Sequence, residues 1–513
     1  MEMEIEIKKF WDLRYGSHTQ AGTAQRMEVT FDNNVKWVTD TEKWKVFDRD
    51  SGLWVDITPN DMYNASLAIA ETMEADKDEI ENDNFRESVT KYIKSVRSLT
   101  HIKAALEFFK SKVSCCQQDF DANPQYLGLQ HGKAFDLLTL QVVDCKREWM
   151  ITKTLNGNVH APISETFYKY INTLFRDEDV RNYVQEYLGS ALLGFRMRHT
   201  KDKRALFLDS SAGNTGKSTL LTLLEMTLGD YYKSVDVNVL TEPIKDPNRP
   251  NPIMGDLQGC RVVGISEVAK NTMFADDNFK KLTGNDTVCC RFLYDRKPFR
   301  YKPDFRFLIV SNYLPRPQTV DDAAFRLRFR RYTFTEAITD KDDEILDKFD
   351  TQEFRDDFLS WLVDGCQRYI ANGKMLDDYD GNNLSECNLP SAMKKAIGKY
   401  LGDNDNMGDF FATFYKVTNN DKDAVSLRDM YQTWVDFTNE KNVGYYKWCE
   451  MARESFVKKY ALKEAKRVPV IDKTGKFSSK AGIKGIAYYA KEDELNQTNI
   501  TGKSKGSFEV DAG

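Results

Sequence analysis

A mixed α/β core, preceded by a mainly helical region and followed by a small separate C-terminal domain, is what this sequence predicts. Three observations carry the expectation. The runs ALFLD (205–209), RVVGIS (261–266) and FRFLIVS (305–311) have the length and apolar content of buried strands. Helical patterns lie between them, beginning with STLLTLLEMTL after the first run. Strands alternating with helices argue for a largely parallel sheet.

The flanking elements follow in order. Residues 28–57 alternate apolar and polar (VTFDNNVKWV, then WKVFDRDSGLWVDI), and the Asp-Ser-Gly turn predicts a hairpin module. Helical spacing runs from about 60 to 112. Short strands around turns are expected over 126–145, and helices again over 164–195 and 341–371. NGKMLDDYDGNNLSECNLP (372–390) reads as a loop. The expected division is an accessory region at 1–112, a helical domain at 113–195, the core at 196–345, a helical extension and linker at 346–400, and a last domain at 401–513.

Charge excludes a basic, sequence-indifferent DNA coat, because 73 Lys and Arg face 79 Asp and Glu, a net charge of −6. Nucleic-acid contact must then come from local patches. None of the nine cysteines forms a CxxC pair, and five histidines are scattered, so no zinc site is expected. The first residues, MEMEIEIKKFWDLRYGS, lack the apolar segment of a signal peptide, and no run of about 18 apolar residues occurs. The expected location is the cytoplasm of a bacterium or a virus-infected host.

Four motifs carry chemistry. SSAGNTGKST (210–219) follows a strand and opens a helix, the context of a phosphate-binding loop. Gly213 and Gly216 let the backbone fold round phosphate oxygens, and Asn214, Thr215 and Thr219 complete the loop. Amides at the helix start face the anion. Lys217 would reach the β- and γ-phosphates and Ser218 would hold Mg²⁺. The usual first glycine is Ser211 here. The second motif, RVVGISE, ends a strand in Glu267, placed to polarise a water and organise the metal. An Asp often precedes such a Glu; Ser266 stands there, so coordination rests on Ser218, water and Glu267. The third, LIVSN, ends in Asn312, which would sense the γ-phosphate or serve simply as a turn former. The fourth, DDAAFRLRFRRYTF, holds Arg326, Arg328, Arg330 and Arg331, with Arg316 nearby. Such arginines either reach a neighbouring subunit's phosphate or form a solvated basic face.

Together with FKKLTGNDTVCCRFLY (279–294), this order resembles superfamily 3 helicases, in the branch of phage and plasmid primase-helicases and the poxvirus-type helicase-primase. The resemblance is best over about 125–335. It implies an AAA+-like P-loop ATPase core, an ATP- and Mg²⁺-dependent DNA helicase of phage or mobile-element replication, a homo-oligomeric hexameric ring, and a winged-helix-like C-terminal domain. Carried over, Lys217 and Ser218 bind nucleotide and metal, Glu267 is the catalytic acid, Asn312 the sensor, and Arg328 the arginine finger with Arg326 as the alternative. Lys280, Gly284 and Asp286 fall on the family's KxLTGxD motif.

DNA, single-stranded or forked, should meet the hairpin between KLTGND and Asn312. Its tip is Asp295-Arg296-Lys297-Pro298, flanked by Arg291, Arg300 and Lys302, with Lys280 nearby. Basic tips grip backbone phosphates without reading sequence. A second basic stretch lies at 453–491, with eleven Lys and Arg against three acids. The residues before the family-like part are too few for a primase domain, so a separate primase is an expected partner. The rival readings are an origin-binding initiator that unwinds little and a P-loop motor with another cargo.

Overall fold

The computed structural model describes residues 17–488, apart from 79, 160–161, 195–201, 211, 243–249, 271, 294–297, 319–321, 340–341, 343, 374, 376, 404–405, 419, 439–442, 458–459 and 472–476. It divides into two compact units. The first holds 1–315, 328–378 and 387–393; the second holds 316–327, 379–386 and 394–513.

The first unit begins with helix α1 (Gln20–Phe31), strands β1 (Val35–Val38), β2 (Lys43–Asp48) and β3 (Leu53–Ile57), helices α2 (Pro59–Lys77), α3 (Asp83–Val96) and α4 (Leu99–Lys112), and strand β4 (Ser114–Cys115). The expected hairpin is β2–β3, turning at Gly52 with φ 71°. The run VTF, read as extended, instead ends α1. Its Thr30 and Phe31 are buried on the helix's inner face, so packing overrides the local alternation. The sheet runs β3-β2-β1-β4 and shares one core with the helices, built round Met27, Trp44, Ile69, Ile93 and Phe109.

Strands β5 (Tyr126–Gly128), β6 (Lys133–Asp136) and β7 (Gln141–Asp144) lie where short strands were expected and pair into a small antiparallel sheet, and helices α5 (Glu165–Leu174) and α6 (Glu178–Ala191) follow. Then comes the central α/β layer: β8 (Ala205–Ser210), α7 (Lys217–Leu228), β9 (Tyr232–Val235), α8 (Asn238–Thr241), α9 (Pro252–Asp256), β10 (Val262–Ser266), α10 (Asp276–Thr283), hairpin β11 (Val288–Cys290) and β12 (Phe299–Tyr301), β13 (Arg306–Ser311) and, after helix α11 (Ala323–Arg328), whose residues up to 327 belong to the second unit, β14 (Phe329–Phe334). Five strands make one wholly parallel sheet in the order β14-β8-β13-β10-β9. β8 and β13 are buried at every residue, as strands covered on both faces must be. Helices α12 (Ile345–Asp350) and α13 (Gln352–Asn372) complete this unit, with α13 packed along α6.

The second unit contains most of α14 (Ser391–Asp403), then α15 (Asn406–Phe414), β15 (Tyr415–Val417), β16 (Ala424–Ser426), α16 (Leu427–Thr438), α17 (Tyr445–Ala452), β17 (Lys463–Ile471), β18 (Phe477–Lys484) and β19 (Ile486–Tyr488). Its core is aromatic, with Phe410, Tyr415, Trp434, Trp448 and Phe456 fully or nearly buried. No helix among the described residues is long and apolar enough to cross a membrane.

Candidate functional site

Register puts three functional segments side by side. In the parallel sheet Ser311 of β13 stands beside Asp209 of β8, and Ser266 of β10 stands beside Val310. The loop after Ser210, the turn at Asn312 and the turn at Glu267 therefore leave the same carboxyl edge on three adjacent strands. That edge is where open parallel sheets bind ligands, because loops diverge there and helix N-termini point at the opening. A hydrogen bond of 2.9 Å from the Val268 amide to Ser311 Oγ ties the second turn to the third.

The loop between β8 and α7 is folded back on itself. Ser210 Oγ donates to the Ala212 carbonyl (2.6 Å) and accepts from its amide (2.9 Å). Asn214 and Gly216 both have positive φ, 55° and 79°. The left-handed backbone at Gly216 is one that a residue with a side chain adopts only with strain, so conformation favours glycine there. Gly216 caps α7 and has no side chain to offer, which leaves the first-turn amides without a side-chain cap among the described residues. Ser218 at that first turn is exposed and Thr219 half-buried.

Lys217 is 8% exposed and donates to Thr215 Oγ1 at 2.9 Å. Burial holds its ammonium below the usual lysine range, and the Asp209 carboxylate pulls it partly back. Asp209 is itself clamped by Arg331, at 2.9 and 2.6 Å, and by the Thr333 hydroxyl at 2.9 Å. Cation, carboxylate and uncapped amides thus converge on one loop. The donor set suits an oxyanion.

Glu267 is exposed at the end of β10 with φ 61°. A left-handed conformation at a non-glycine residue costs about 1–3 kcal/mol and concentrates at functional sites. Asn312 is exposed at the end of β13. Among the described residues no group of three or more His, Cys, Asp or Glu could hold a metal ion. Magnesium held here would depend on Ser218, Glu267 and the ligand's own oxygens.

Beside the loop opens a cavity of about 890 Å³, lined by Tyr170 and Thr173 of α5, Asn214, Gly216 and Thr219, and Ile338, Ile345 and Leu346. A volume of roughly 300–1,000 Å³ accommodates a nucleotide-sized ligand. These lining residues outside the loop were missed in the sequence. They come from separate stretches that carry no motif, and only the packing of α5 against the segment after β14 brings them to the loop.

The arginine cluster is for the most part not a solvated face. Residues 329–334 are strand β14, unforeseen because a six-residue run with two adjacent arginines does not read as buried. Arg330 is 0% exposed and paired with Asp377; Arg331 is held by Asp209. Arg328 is buried, its Nε donating to Thr283 Oγ1 at 2.8 Å, so it meets the KLTGND segment of its own chain. Arg326 is half-buried, 3.3 Å from Asn382 Oδ1. Lys280 is half-buried in the last turn of α10. Arg300 and Lys302 are exposed on the β11–β12 hairpin, whereas Arg296 and Lys297 lie outside the described residues.

Residues 208–331 match the model of a family of unknown function, DUF5906, a block that contains every candidate residue from Gly213 to Arg328. L207/L206 of Acanthamoeba polyphaga mimivirus, which carries a provisional helicase name, is 24% identical over 349 residues, or 64% of this chain and 34% of that protein. C962R of African swine fever virus, provisionally named a primase, is 23% identical over 271 residues, or 52% and 26%. The chain thus spans about a third or less of these relatives' length. An apo structure of the NrS-1 C-terminal region aligns with a TM-score of 0.45 at 12% identity, over 88% of this chain and 96% of that one.

Proposed function

We propose that this chain is an ATP-driven motor on DNA, of the superfamily 3 helicase type and acting in replication. The observation that carries the reading is the shared edge of three adjacent parallel strands, which bears the glycine loop with Lys217, Glu267 and Asn312 together. The viral relatives with helicase and primase names support the replication setting.

The roles follow from placement. The uncapped amides of α7 and Lys217 bind the phosphates of ATP, and the ammonium neutralises charge on the β- and γ-oxygens. Ser218 and Glu267 would hold Mg²⁺, which when bound would supply further positive charge against the phosphates. Glu267, exposed at its strand end, takes the proton of the attacking water. Asn312 orients that water or the γ-phosphate from the neighbouring strand. The base occupies the cavity lined by Tyr170 and Ile345. In a ring, an arginine of the adjacent subunit completes the charge balance. That residue must reach out of its own chain, and the burial of Arg328 against Thr283 favours Arg326 for the task. The β11–β12 hairpin engages the DNA backbone, and the second unit is the winged-helix-like domain.

The test is ATP turnover and forked-DNA unwinding. Lys217→Ala should abolish both. Glu267→Gln should keep ATP binding and lose hydrolysis, since an amide cannot accept the proton. Near-normal turnover in either variant would overturn the site assignment.

A further inference from the structure

Ser311 ends β13 one residue before Asn312, and only 6% of it is exposed. Its hydroxyl oxygen accepts two backbone hydrogen bonds. One comes from the Val268 amide at 2.9 Å, in the turn that follows the neighbouring strand β10. The other comes from the Tyr313 amide at 3.2 Å, two residues along its own chain. Val268 directly follows Glu267, and Tyr313 directly follows Asn312. One oxygen therefore holds the residue after each of the two side chains assigned to the water and the γ-phosphate.

Both turns need a holder. Glu267 stands at φ 61°. A left-handed glutamate persists only where its surroundings over-determine it. The Val268 bond does this on the far side of the strained residue, and it is buried, so water is no ready substitute for the acceptor. The Tyr313 bond is of the local kind, in which a serine hydroxyl accepts from the amide two residues on and shapes a turn. Asn312 lies between its two ends. A hydroxyl oxygen has two lone pairs, and the two amides use both.

Register adds a third element. Ser311 stands beside Asp209 of β8, just before the phosphate loop. Both turns are thereby referred to the strand that carries the loop. The loop's own bonds, from Ser210 to Ala212 and from Lys217 to Thr215, do not involve Ser311.

We propose that Ser311 is a positioning residue for ATP hydrolysis, its hydroxyl oxygen fixing the Glu267 and Asn312 turns against one another so that both side chains address one γ-phosphate and its water. The inference rests on the roles proposed for Glu267 and Asn312. It adds that the two turns form one unit, and that loss of a single oxygen displaces both while phosphate binding is spared.

The test compares Ser311→Ala, Ser311→Cys and Ser311→Thr in the full-length protein, with Glu267→Gln beside them. Steady-state ATP turnover gives kcat and KM, titration with ADP gives nucleotide affinity, and the thermal midpoint reports folding. Ser311→Ala should lower kcat by about 10²-fold, the scale of an ångström misplacement, with KM and ADP affinity at wild-type values. Ser311→Cys keeps the shape of the side chain but offers only a weak acceptor, so it should fall alike. Ser311→Thr keeps the oxygen and should recover most of the turnover. A role in packing alone gives the opposite order, with Ser311→Cys near normal and losses that follow the thermal midpoint. If Ser311→Ala lowers that midpoint, Ser311→Cys, closest in shape, decides. Wild-type kcat in the variants that lack the oxygen overturns the proposal, and so does an equal loss of ADP affinity. Glu267→Gln separates this inference from the site assignment. If it is inactive while Ser311→Ala turns over normally, the positioning role alone falls. If Glu267→Gln hydrolyses ATP normally, the base assignment falls and this inference with it.

Discussion

Asp377 accepts from three side chains at once. The Tyr183 hydroxyl lies at 3.0 Å, Arg204 Nε at 2.9 Å, and Arg330 forms a two-pronged pair. Asp202 does similar service for Arg204 at 2.8 Å, for Arg306, and for the Tyr369 hydroxyl at 3.1 Å. Burial opposes the charge of Arg204, yet the Asp202 and Asp377 carboxylates hold it above even the usual arginine range. These pairs pin β8 and β14 at the end remote from the phosphate loop. Removing one partner of a buried pair leaves an uncompensated charge. Asp377→Ala should therefore destabilise the first unit by about 3–5 kcal/mol, measured as a fall in denaturant midpoint with an unchanged m-value. A loss below about 1 kcal/mol, the range of surface pairs, would mean the network is solvated. Lys217 was legible from its motif. Asp377 was not, because nothing in the loop 372–390 announces that its carboxylate is the counter-ion of a strand.

At the scale of elements, the hairpin β11–β12 stands out. Val288, Cys290, Phe299 and Tyr301 are buried, and the Tyr301 hydroxyl donates to the Met254 carbonyl at 2.6 Å. Arg300 alternates outward between two of these anchors, and Lys302 follows at the strand end. Anchored on one face and cationic on the other, the hairpin suits a backbone grip. Arg300→Ala/Lys302→Ala should leave basal ATPase intact, because neither residue touches the phosphate loop. Single-strand binding should lose about 1.4 units of log–log salt slope, at about 0.7 per phosphate. The loss should match on two unrelated sequences, since phosphate contacts carry no base information. Wild-type slope and unwinding would reduce these cations to a solvated edge. Strand β14 teaches the reverse lesson. Its arginines hid an edge strand, because charge in a short run masks burial until partners such as Asp209 and Asp377 are in place.

For the whole molecule the proposal requires more than one chain. Arg326 and Lys217 would then serve different nucleotides, one across a subunit boundary. Arg326→Ala should fold and bind ATP while losing most hydrolysis, as arginines supplied in trans contribute about 10³–10⁵ in rate. Mixed with Lys217→Ala, it should regain part of the turnover, because some boundaries then hold one intact loop and one intact arginine. Arg328→Ala, by contrast, should lower the thermal midpoint by removing a buried contact to Thr283. No turnover regained in that mixture would remove the trans role from Arg326, and a loss confined to Arg328→Ala at full stability would return the finger to Arg328.

Local rules were enough for much of this protein. The glycine loop, its lysine, the strands ending at Glu267 and Asn312, and the helical stretches were determined by the sequence, because turn chemistry and hydrophobic period act over a few residues. Tertiary structure decided the rest. It set the strand order that brings residues 210, 266 and 311 to one edge. It gave Arg330 and Arg331 their buried partners, and drew the cavity wall from α5 and residues 338–346. Each of these depends on contacts between residues far apart in the chain, whose free energy comes from burial and pairing that no local window contains.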